Sequence, residues 1–278
     1  MRNLQCGILL VICASLFISC EDNGIQSETI TSVDSSFVSA EVTTLGDTLK
    51  NGNIKLYPLK DSPLFEDAIL SLNSPNEGTV LKNNIVNFNY DIKNFELSKP
   101  TQKGSSADHC ANSVKGQHIH LILNNEPYQA LYDTEYSDTL KAGHYVALSF
   151  LSRSYHESIK HYEAYDLRQF TVGDKQDVKT DLTKPLLFYS RPKGEYKGVE
   201  SKKIVLDFYV VNAHLAVNDY KVKVTINEAS FILTDWSAYI IEGLPKGSHT
   251  IKIELLDKNN HVANSSFNTI ERIISIAE

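Results

Sequence analysis

Alternation of apolar and polar residues is the feature that most narrows the folds open to this chain. Beyond residue 63, every second position is apolar through six stretches, and no long stretch keeps the spacing of an amphipathic helix. Alternation sends successive side chains to opposite faces of a strand, which is typical of antiparallel sheets. The sequence therefore predicts an all-β fold. The six stretches are 86–92, 119–123, 145–151, 204–210, 220–226 and 251–255.

An internal repeat divides these strands into two similar sets. The segment QHIHLILNNEPYQALYDTEYSDTLKAGHYVALSFLS begins at Gln117, and YKVKVTINEASFILTDWSAYIIEGLPKGSHTIKIELLD begins at Tyr220. Both read as strand, turn, strand, Gly-containing turn and strand. Two tandem antiparallel β-sandwich domains explain this better than one large barrel. We predict that the first, His-rich domain covers residues 64–176 and the second covers 177–278.

Each copy resembles the immunoglobulin-like or fibronectin-type-III-like modules that are common in Bacteroidota surface proteins. The resemblance lies in the strand pattern and turn placement over about two thirds of the chain, without the Cys-Trp-Cys set of antibody domains. It implies an extracellular module that binds a ligand or a partner.

The N-terminal residues have the pattern of an export signal. Arg2 is followed by an apolar run over 7–18, which is the length of a signal-peptide core. The run ends in LFISC, which resembles a bacterial lipobox, although Phe17 replaces the usual aliphatic residue. The resemblance implies a lipoprotein signal peptide over 1–19 and lipid, including palmitate, on Cys20, so that the chain is anchored to a membrane. The alternative is a secretory signal with an incidental cysteine.

The residues after Cys20 indicate where the anchored protein lies. Glu21 and Asp22 resemble the signal by which Bacteroidota lipoproteins reach the outer face of the outer membrane, so we expect surface exposure. Residues 21–50 are rich in Ser and Thr and contain one aromatic residue, so they cannot bury much apolar surface. We predict a flexible tether over 20–63. An ordered edge strand at 37–42 is the alternative.

Charge and cysteine content exclude two classes of protein. The chain has 27 basic and 34 acidic residues and a net charge of −7, which argues against a nucleic-acid partner. Cys6 and Cys13 lie in the predicted signal and Cys20 is the predicted lipid site, so Cys110 is the one thiol left. A disulfide-stapled fold is therefore excluded, and packed apolar cores must stabilise the mature protein.

The repeat also predicts the direction of two histidines. His118 and His120 match Lys221 and Lys223 in the second copy, and lysine rarely occupies a core. We therefore expect both imidazoles on the outward face of their strand, about 7 Å apart along it. That spacing lets both bind one Zn or Cu ion if neighbouring segments supply further ligands.

Further candidate ligands lie in the same predicted domain: His109, Cys110, His144, His156 and Glu157. The alternative for all of these histidines is a solvated or hydrogen-bonded role, and His144 also fits a structural role in the turn at Gly143. Cys110 fits a small buried hydrophobe as well as a ligand.

Arg153, Arg168 and Arg191 are candidate contacts for an anionic group near the predicted domain junction, or plain surface charge. The string HESIKH over 156–161 does not match a zinc-protease helix, because its histidines are five residues apart instead of four. A hydrolase whose site is assembled from distant residues stays open, but the sequence favours a protein that is not an enzyme.

Three functional hypotheses follow. The first is a membrane-anchored surface lipoprotein that binds an extracellular protein, glycan or other ligand through the region of His118, His120 and His156. The second is a lipoprotein that binds Zn or Cu with the same histidines, and the third is a hydrolase with a dispersed site. Stoichiometric metal in the protein would separate the first two.

Overall fold

The computed structural model describes residues 43–45, 47–174 and 178–277. The predicted signal peptide, Cys20 and the predicted tether as far as residue 42 lie outside these residues. These described residues all belong to one compact unit. Within the described part the chain is built from nineteen strands and three short 3₁₀ helices, which confirms the all-β prediction. None of the helices among these residues is long and apolar enough to cross a membrane.

The strands run along the chain in two groups. The first group is β1 (Thr43–Leu45), β2 (Thr48–Asn51), β3 (Ile54–Pro58), β4 (Ile69–Ser74), β5 (Val80–Leu81), β6 (Ile85–Lys93), β7 (His118–Leu123), β8 (Gln129–Leu131), β9 (Glu135–Thr139), β10 (Gly143–Ser152) and β11 (Tyr165–Val172). The second group is β12 (Leu186–Arg191), β13 (Gly194–Tyr196), β14 (Ile204–Val211), β15 (Lys221–Ile226), β16 (Ala229–Leu233), β17 (Tyr239–Glu242), β18 (Gly247–Leu256) and β19 (Ile270–Ile276). The 3₁₀ helices are Ser106–His109, Tyr162–Ala164 and Gly198–Ser201.

Two eight-stranded copies of one topology make up most of the fold. In the first copy, a sheet with the order β4-β6-β9 packs on a sheet with the order β5-β11-β10-β7-β8. In the second copy, β12, β14 and β17 lie opposite β13-β19-β18-β15-β16. Each five-stranded sheet has one parallel pair at its edge, β5 with β11 and β13 with β19. The repeat seen in the sequence therefore extends to all eight strands of each copy, while the domain boundaries at 64–176 and 177–278 stay a prediction.

Equivalent turns repeat as well. Asn124 and Asn227 follow the equivalent strands β7 and β15 and have positive φ angles of 51° and 53°. The side-chain oxygen of Asn124 accepts a hydrogen bond from the Val146 amide, and that of Asn227 accepts one from the Thr250 amide. Asparagine tolerates this backbone region because its side chain bonds the local backbone.

The structure differs from the predicted flexible tether over residues 48–58. β2 and β3 form a hairpin, and β3 pairs with β17, so these residues extend a sheet of the second copy to the order β1-β2-β3-β17-β14-β12. Leu56 is fully buried in the core of that copy, and Leu49 and Ile54 pack against it. The Ser/Thr-rich composition suggested that the entropy lost on ordering this segment would exceed the gain from burial. Burial of these side chains and pairing of the backbone instead offset that entropy.

A third core joins the two copies. Ile119 and Leu121 of β7 and Ala147 and Leu151 of β10 face the core of the first sandwich, while the opposite face of these two strands carries a second apolar row. That row packs against side chains of β12 and β14. The copies are therefore stacked through an apolar contact, which covers the face of β7 that we expected to be exposed. The contact consists of Ile122, Tyr128, Val146, Leu148, Phe150, Leu186, Phe188, Tyr209 and Val211.

Candidate metal centre

Strand β7 places two imidazoles in the contact between the copies. His118 and His120 share the face of Ile122, because alternate residues of a strand point the same way. Across the contact, Ser190 of β12 lies with its hydroxyl oxygen 3.2 Å from Nδ1 of His120. The histidines come from the first copy and this hydroxyl from the second.

A tight turn after β10 brings in the third imidazole. The turn is closed by a hydrogen bond from the Arg153 amide to the Glu157 carbonyl, and the His156 amide donates to the Arg153 carbonyl. His156 itself has a φ of 66°, a left-handed conformation that is uncommon for residues other than glycine. Such a conformation persists where the surroundings hold it, and it is enriched at functional sites.

Three ring nitrogens converge at one point. Nε2 of His118 lies 2.9 Å from Nε2 of His120 and 3.0 Å from Nδ1 of His156. One nitrogen from each ring can be chosen so that all three lie within 4.8 Å of one another. We call His118, His120 and His156 the histidine cluster.

Backbone and side-chain groups fix the orientation of these rings. Nδ1 of His118 lies 2.8 Å from the Gly116 carbonyl oxygen, which only accepts, so Nδ1 carries the proton and donates it. In the neutral ring, Nε2 of His118 therefore has a free lone pair that faces the other two histidines. The Tyr128 hydroxyl lies 3.2 Å from Nδ1 of His156, and the Tyr128 ring stacks on His120 at 3.5 Å.

The histidine cluster is buried, which corrects the prediction of an outward, exposed face. His118 and His120 are 0% exposed and His156 is 9% exposed, because the second copy covers the outer face of β7. A macromolecular partner does not reach these side chains in this arrangement, so the expected binding of an extracellular protein or glycan through them is not supported. At the matching positions, Lys221 is 8% exposed and Lys223 is partly exposed and pairs with Glu254.

Burial keeps the three imidazoles neutral. Loss of solvation lowers the pKa of His118 to about 4, against an upward influence of its hydrogen bond to Gly116. The same loss of solvation holds the pKa values of His120 and His156 well below the ordinary value for histidine. The cationic Arg191 and Lys193 lower all three further. Neutral imidazoles are the form that binds metal ions.

The spacing of the nitrogens suits a tetrahedral metal ion. With Zn–N bonds of about 2.0 to 2.1 Å, two ligands of a tetrahedral site lie about 3.4 Å apart. Two of the nitrogen separations in the cluster, 2.9 and 3.0 Å, are 0.4 to 0.5 Å shorter than that value, and all three nitrogens lie within 4.8 Å of one another, so small shifts of the rings would bring them to an ion. Three protein nitrogens leave the fourth tetrahedral position for another ligand.

The other predicted ligands lie elsewhere. Nε2 of His144 lies 2.9 Å from the Gln169 side-chain oxygen, near the opposite end of β10 from His156. His109 is exposed, and Cys110 is buried in a small apolar cluster, where loss of solvation raises its pKa to about 12. Glu157 is buried and pairs with Arg153, with a nitrogen–oxygen distance of 3.3 Å. The structure thus brings together three of the seven proposed ligands.

The three candidate anion contacts are in different settings. Arg153 pairs with Glu157, and Arg168 forms a two-pronged pair with Asp166. Arg191 is 8% exposed and donates to the Tyr196 hydroxyl, and its Nε has no hydrogen-bond partner. The charges of Arg153 and Arg168 are therefore already neutralised by carboxylates. Arg191 is close to the histidine cluster, and among the described residues no carboxylate forms a hydrogen bond with it.

Two buried groupings contain the residue types of a hydrolase. His120 lies beside the Ser190 hydroxyl, and the Ser158 hydroxyl donates to Asp207, which also binds Lys160. Ser190 is 0% and Ser158 1% exposed, so neither hydroxyl is open to a substrate in this arrangement.

Sequence reasoning did not identify Tyr128 and Ser190 as parts of this site. Ser190 is in the second copy and reaches the cluster only because the copies are stacked. Tyr128 lies between β7 and β8 in a Tyr-rich domain, where nothing in the local pattern singles it out.

Among solved structures, those similar to this chain include fibronectin(III)-like modules. No family model matches the chain, and no curated protein matches it. The fibronectin(III)-like modules of Clostridium thermocellum CbhA share 11% identity and a TM-score of 0.26, covering 75% of this chain and 94% of that one. Bacteroides ovatus SGBP-B, solved with a mixed-linkage heptasaccharide, shares 12% identity and a TM-score of 0.22 over 75% of this chain and 70% of its own. The D00-D0 domain of intimin shares 12% identity and a TM-score of 0.22, over 76% of this chain and all of its own. With TM-scores this low, the similarity says nothing about the chemistry of the histidine cluster.

Proposed function

We propose that this protein is an exported, lipid-anchored lipoprotein that binds one transition-metal ion, Zn or Cu, with His118, His120 and His156. The observation that carries the proposal is the convergence of three ring nitrogens within 4.8 Å in a buried site. Imidazole is a common ligand for both metals, and three protein ligands with an open fourth position is a known zinc arrangement.

The protonation state of the cluster supports metal binding. Because the pKa values of all three histidines are lowered, no proton has to be removed from an imidazolium before the ion binds at neutral pH. In each ring, the nitrogen that binds the ion must be unprotonated, so the ring hydrogen must be on the nitrogen that does not bind it. His118 already meets this requirement through its hydrogen bond to Gly116.

Groups around the cluster are placed to orient the ligands. Ser190 Oγ can accept a hydrogen bond from Nδ1 of His120, which frees Nε2 of that ring for the ion. Such outer contacts fix ring orientation and tautomer in metal sites. Because His120 and Ser190 belong to different copies, the bound ion also strengthens the contact between the two sandwiches.

Metal titration of the full-length protein tests this proposal. The protein is stripped with a chelator and titrated with Zn or Cu by calorimetry, and the bound metal is counted by mass spectrometry. We expect one ion per chain. The paired substitution His118→Ala and His120→Ala, or His156→Ala alone, should weaken binding at least about 100-fold because it removes ligands.

His109→Ala and His144→Ala are matched controls, because both histidines lie in the same copy and outside the cluster. They should bind one ion with unchanged affinity. Absence of metal binding by the unsubstituted protein, or equal loss in the control variants, contradicts the proposal. Circular dichroism shows whether each variant keeps its fold.

The lipid anchor rests on the residues around Cys20 and needs its own experiment. Metabolic labelling with palmitate should mark the protein, and Cys20→Ala should abolish the label and release the protein from the membrane fraction. Surface proteolysis of intact cells tests exposure at the outer membrane. Labelling that persists in the Cys20→Ala variant contradicts the anchor.

A further inference from the structure

Positive charge collects beside the histidine cluster. Arg191 is nearly buried, and one of its Nη atoms donates to the Tyr196 hydroxyl at 3.0 Å, while its Nε has no partner. The Lys193 amine donates to the Tyr128 carbonyl. Along 47–174 and 178–277, no carboxylate forms an ion pair with either residue, so their charges are compensated only by carbonyl oxygens, hydroxyls and aromatic rings.

Tyr128 connects these cations to the cluster. The Lys193 amine lies 3.5 Å from the centroid of the Tyr128 ring, and the Arg191 guanidinium carbon lies 5.5 Å from it. The hydroxyl of the same ring is 3.2 Å from Nδ1 of His156. The cations therefore adjoin the place where a bound metal ion would lie.

A third cation and a second unpartnered polar group belong to the second copy, where the Tyr189 ring packs in that copy's own core. The Arg272 guanidinium lies over the Tyr189 ring at 4.4 Å and donates to the Asn125 carbonyl. The Tyr189 hydroxyl is buried and has no hydrogen-bond partner. Both Arg191 and Tyr189 thus keep a buried donor without an acceptor, which is uncommon in folded proteins.

The charges as they stand oppose a divalent ion. Three neutral imidazoles leave the full charge of the ion in place, and repulsion from Arg191 and Lys193 is weakly screened in a buried site. A small oxyanion at the open fourth position would offset both the charge of the ion and that of the cations. Arginine is the side chain best suited to hold a carboxylate or phosphate oxygen while another oxygen of the same anion binds the metal.

We propose that the metal ion is bound together with a small oxyanion from solution, a carboxylate, bicarbonate or phosphate, which occupies the fourth coordination position and accepts hydrogen bonds from Arg191. This inference rests on the proposed metal binding. It makes the protein a receptor for a metal–anion pair, with Lys193 adding favourable charge.

Zinc titration with and without oxyanions tests the inference. The full-length protein in neutral detergent is titrated in CO₂-purged buffer containing chloride alone, and again with added bicarbonate, acetate or phosphate. We expect at least one of these anions to tighten zinc binding tenfold or more. The anion that does so identifies the class of ligand.

The effect of Lys193→Gln on zinc affinity should change sign when an oxyanion is added, which repulsion between Lys193 and the ion does not produce by itself. Without oxyanion, the variant should bind zinc more tightly than the unsubstituted protein, because a repelling charge is gone. With oxyanion, it should bind zinc more weakly, because the anion is held less well. Arg191→Gln should lose most of the anion effect, and Lys258→Gln, in an exposed turn, should behave like the unsubstituted protein.

The outcomes separate the two proposals. Stoichiometric zinc binding that no oxyanion tightens, together with tighter binding by Lys193→Gln in every buffer, overturns the anion site and leaves metal binding intact. No zinc binding in any buffer overturns both. If Arg191→Gln fails to fold, Lys193→Gln decides the question, because its side chain is partly exposed and Gln can still donate to the Tyr128 carbonyl.

Discussion

Acid should destabilise the metal-free protein through the histidine cluster, and replacement of His118 by Gln measures this effect. The pKa of His118 is lowered to about 4 in the folded protein, while the unfolded chain has the ordinary value of 6.5. Well above pH 6.5 the residue is neutral in both states and contributes nothing to the pH dependence. As pH falls below 6.5, the unfolded state takes up a proton that the folded state does not, so stability is lost.

The size of the loss follows from the two pKa values. At pH 5, His118 alone lowers the free energy of unfolding by about 2 kcal/mol relative to pH 7.5. Below pH 4 the loss levels off at about 3.4 kcal/mol, since each unit of pKa difference is worth about 1.36 kcal/mol. His120 and His156 add losses in the same direction.

Urea unfolding between pH 7.5 and 5, with a chelator present, is the assay. The His118→Gln variant has its own constant cost, but the change in stability with pH should be smaller than in the unsubstituted protein by about 2 kcal/mol. His109→Gln, at an exposed position, should leave the pH dependence unchanged. An identical pH dependence in His118→Gln and the unsubstituted protein would refute a buried, neutral His118.

Three further predictions test the site and its support. Ser190→Ala should weaken metal affinity about 10- to 100-fold without changing the stoichiometry in a calorimetric titration, because it removes the group that orients His120. Gly243→Ala should lower the free energy of unfolding in urea by more than about 1 kcal/mol, since the added Cβ would lie 2.0 Å from the Asn53 carbonyl oxygen and push β3 from β17. Gly52→Ala is the control for backbone strain and should cost less, because Gly52 also has a positive φ (60°, against 91° at Gly243) but its added Cβ meets no atom within 4 Å. Metal affinity measured by competition should stay nearly flat from pH 7.5 to 5.5, whereas three solvated histidines would lose about 1,000-fold through protonation.

The repeat predicted the relation between the two copies because it reflects local chemistry. Alternation on 119–123 and 222–226, with an asparagine after each strand, sets the same strand and the same turn in both places. The direction of His118 and His120 away from their own sandwich core was also predicted correctly from the matching lysines. Local patterns determine these features, so a single sequence is enough to find them.

The burial of the histidine cluster depends on contacts between distant residues, and alternation on β7 does not encode them. A signal was nevertheless present in β12 and β14. Residues 186–191 and 204–211 are apolar at eleven of their fourteen positions, and all fourteen residues are buried. Such runs are typical of strands covered on both faces. The apolar runs of β12 and β14 thus predict that both faces of these strands are covered, one by their own sandwich and the other by a further layer of the protein.

The position of the cluster gives a physical reason for keeping imidazoles in an otherwise apolar contact. Three apolar side chains at these positions would pack against Phe150 and Tyr128 without the acid sensitivity, so stability alone does not favour histidine here. Every ring in the cluster loses solvation, and each makes hydrogen bonds only to other groups of the site. In the proposed metal site, a bound ion would replace the close nitrogen–nitrogen contacts with ligand bonds to imidazoles that burial keeps neutral. The burial that destabilises the metal-free protein in acid is therefore the same property that we propose favours metal uptake.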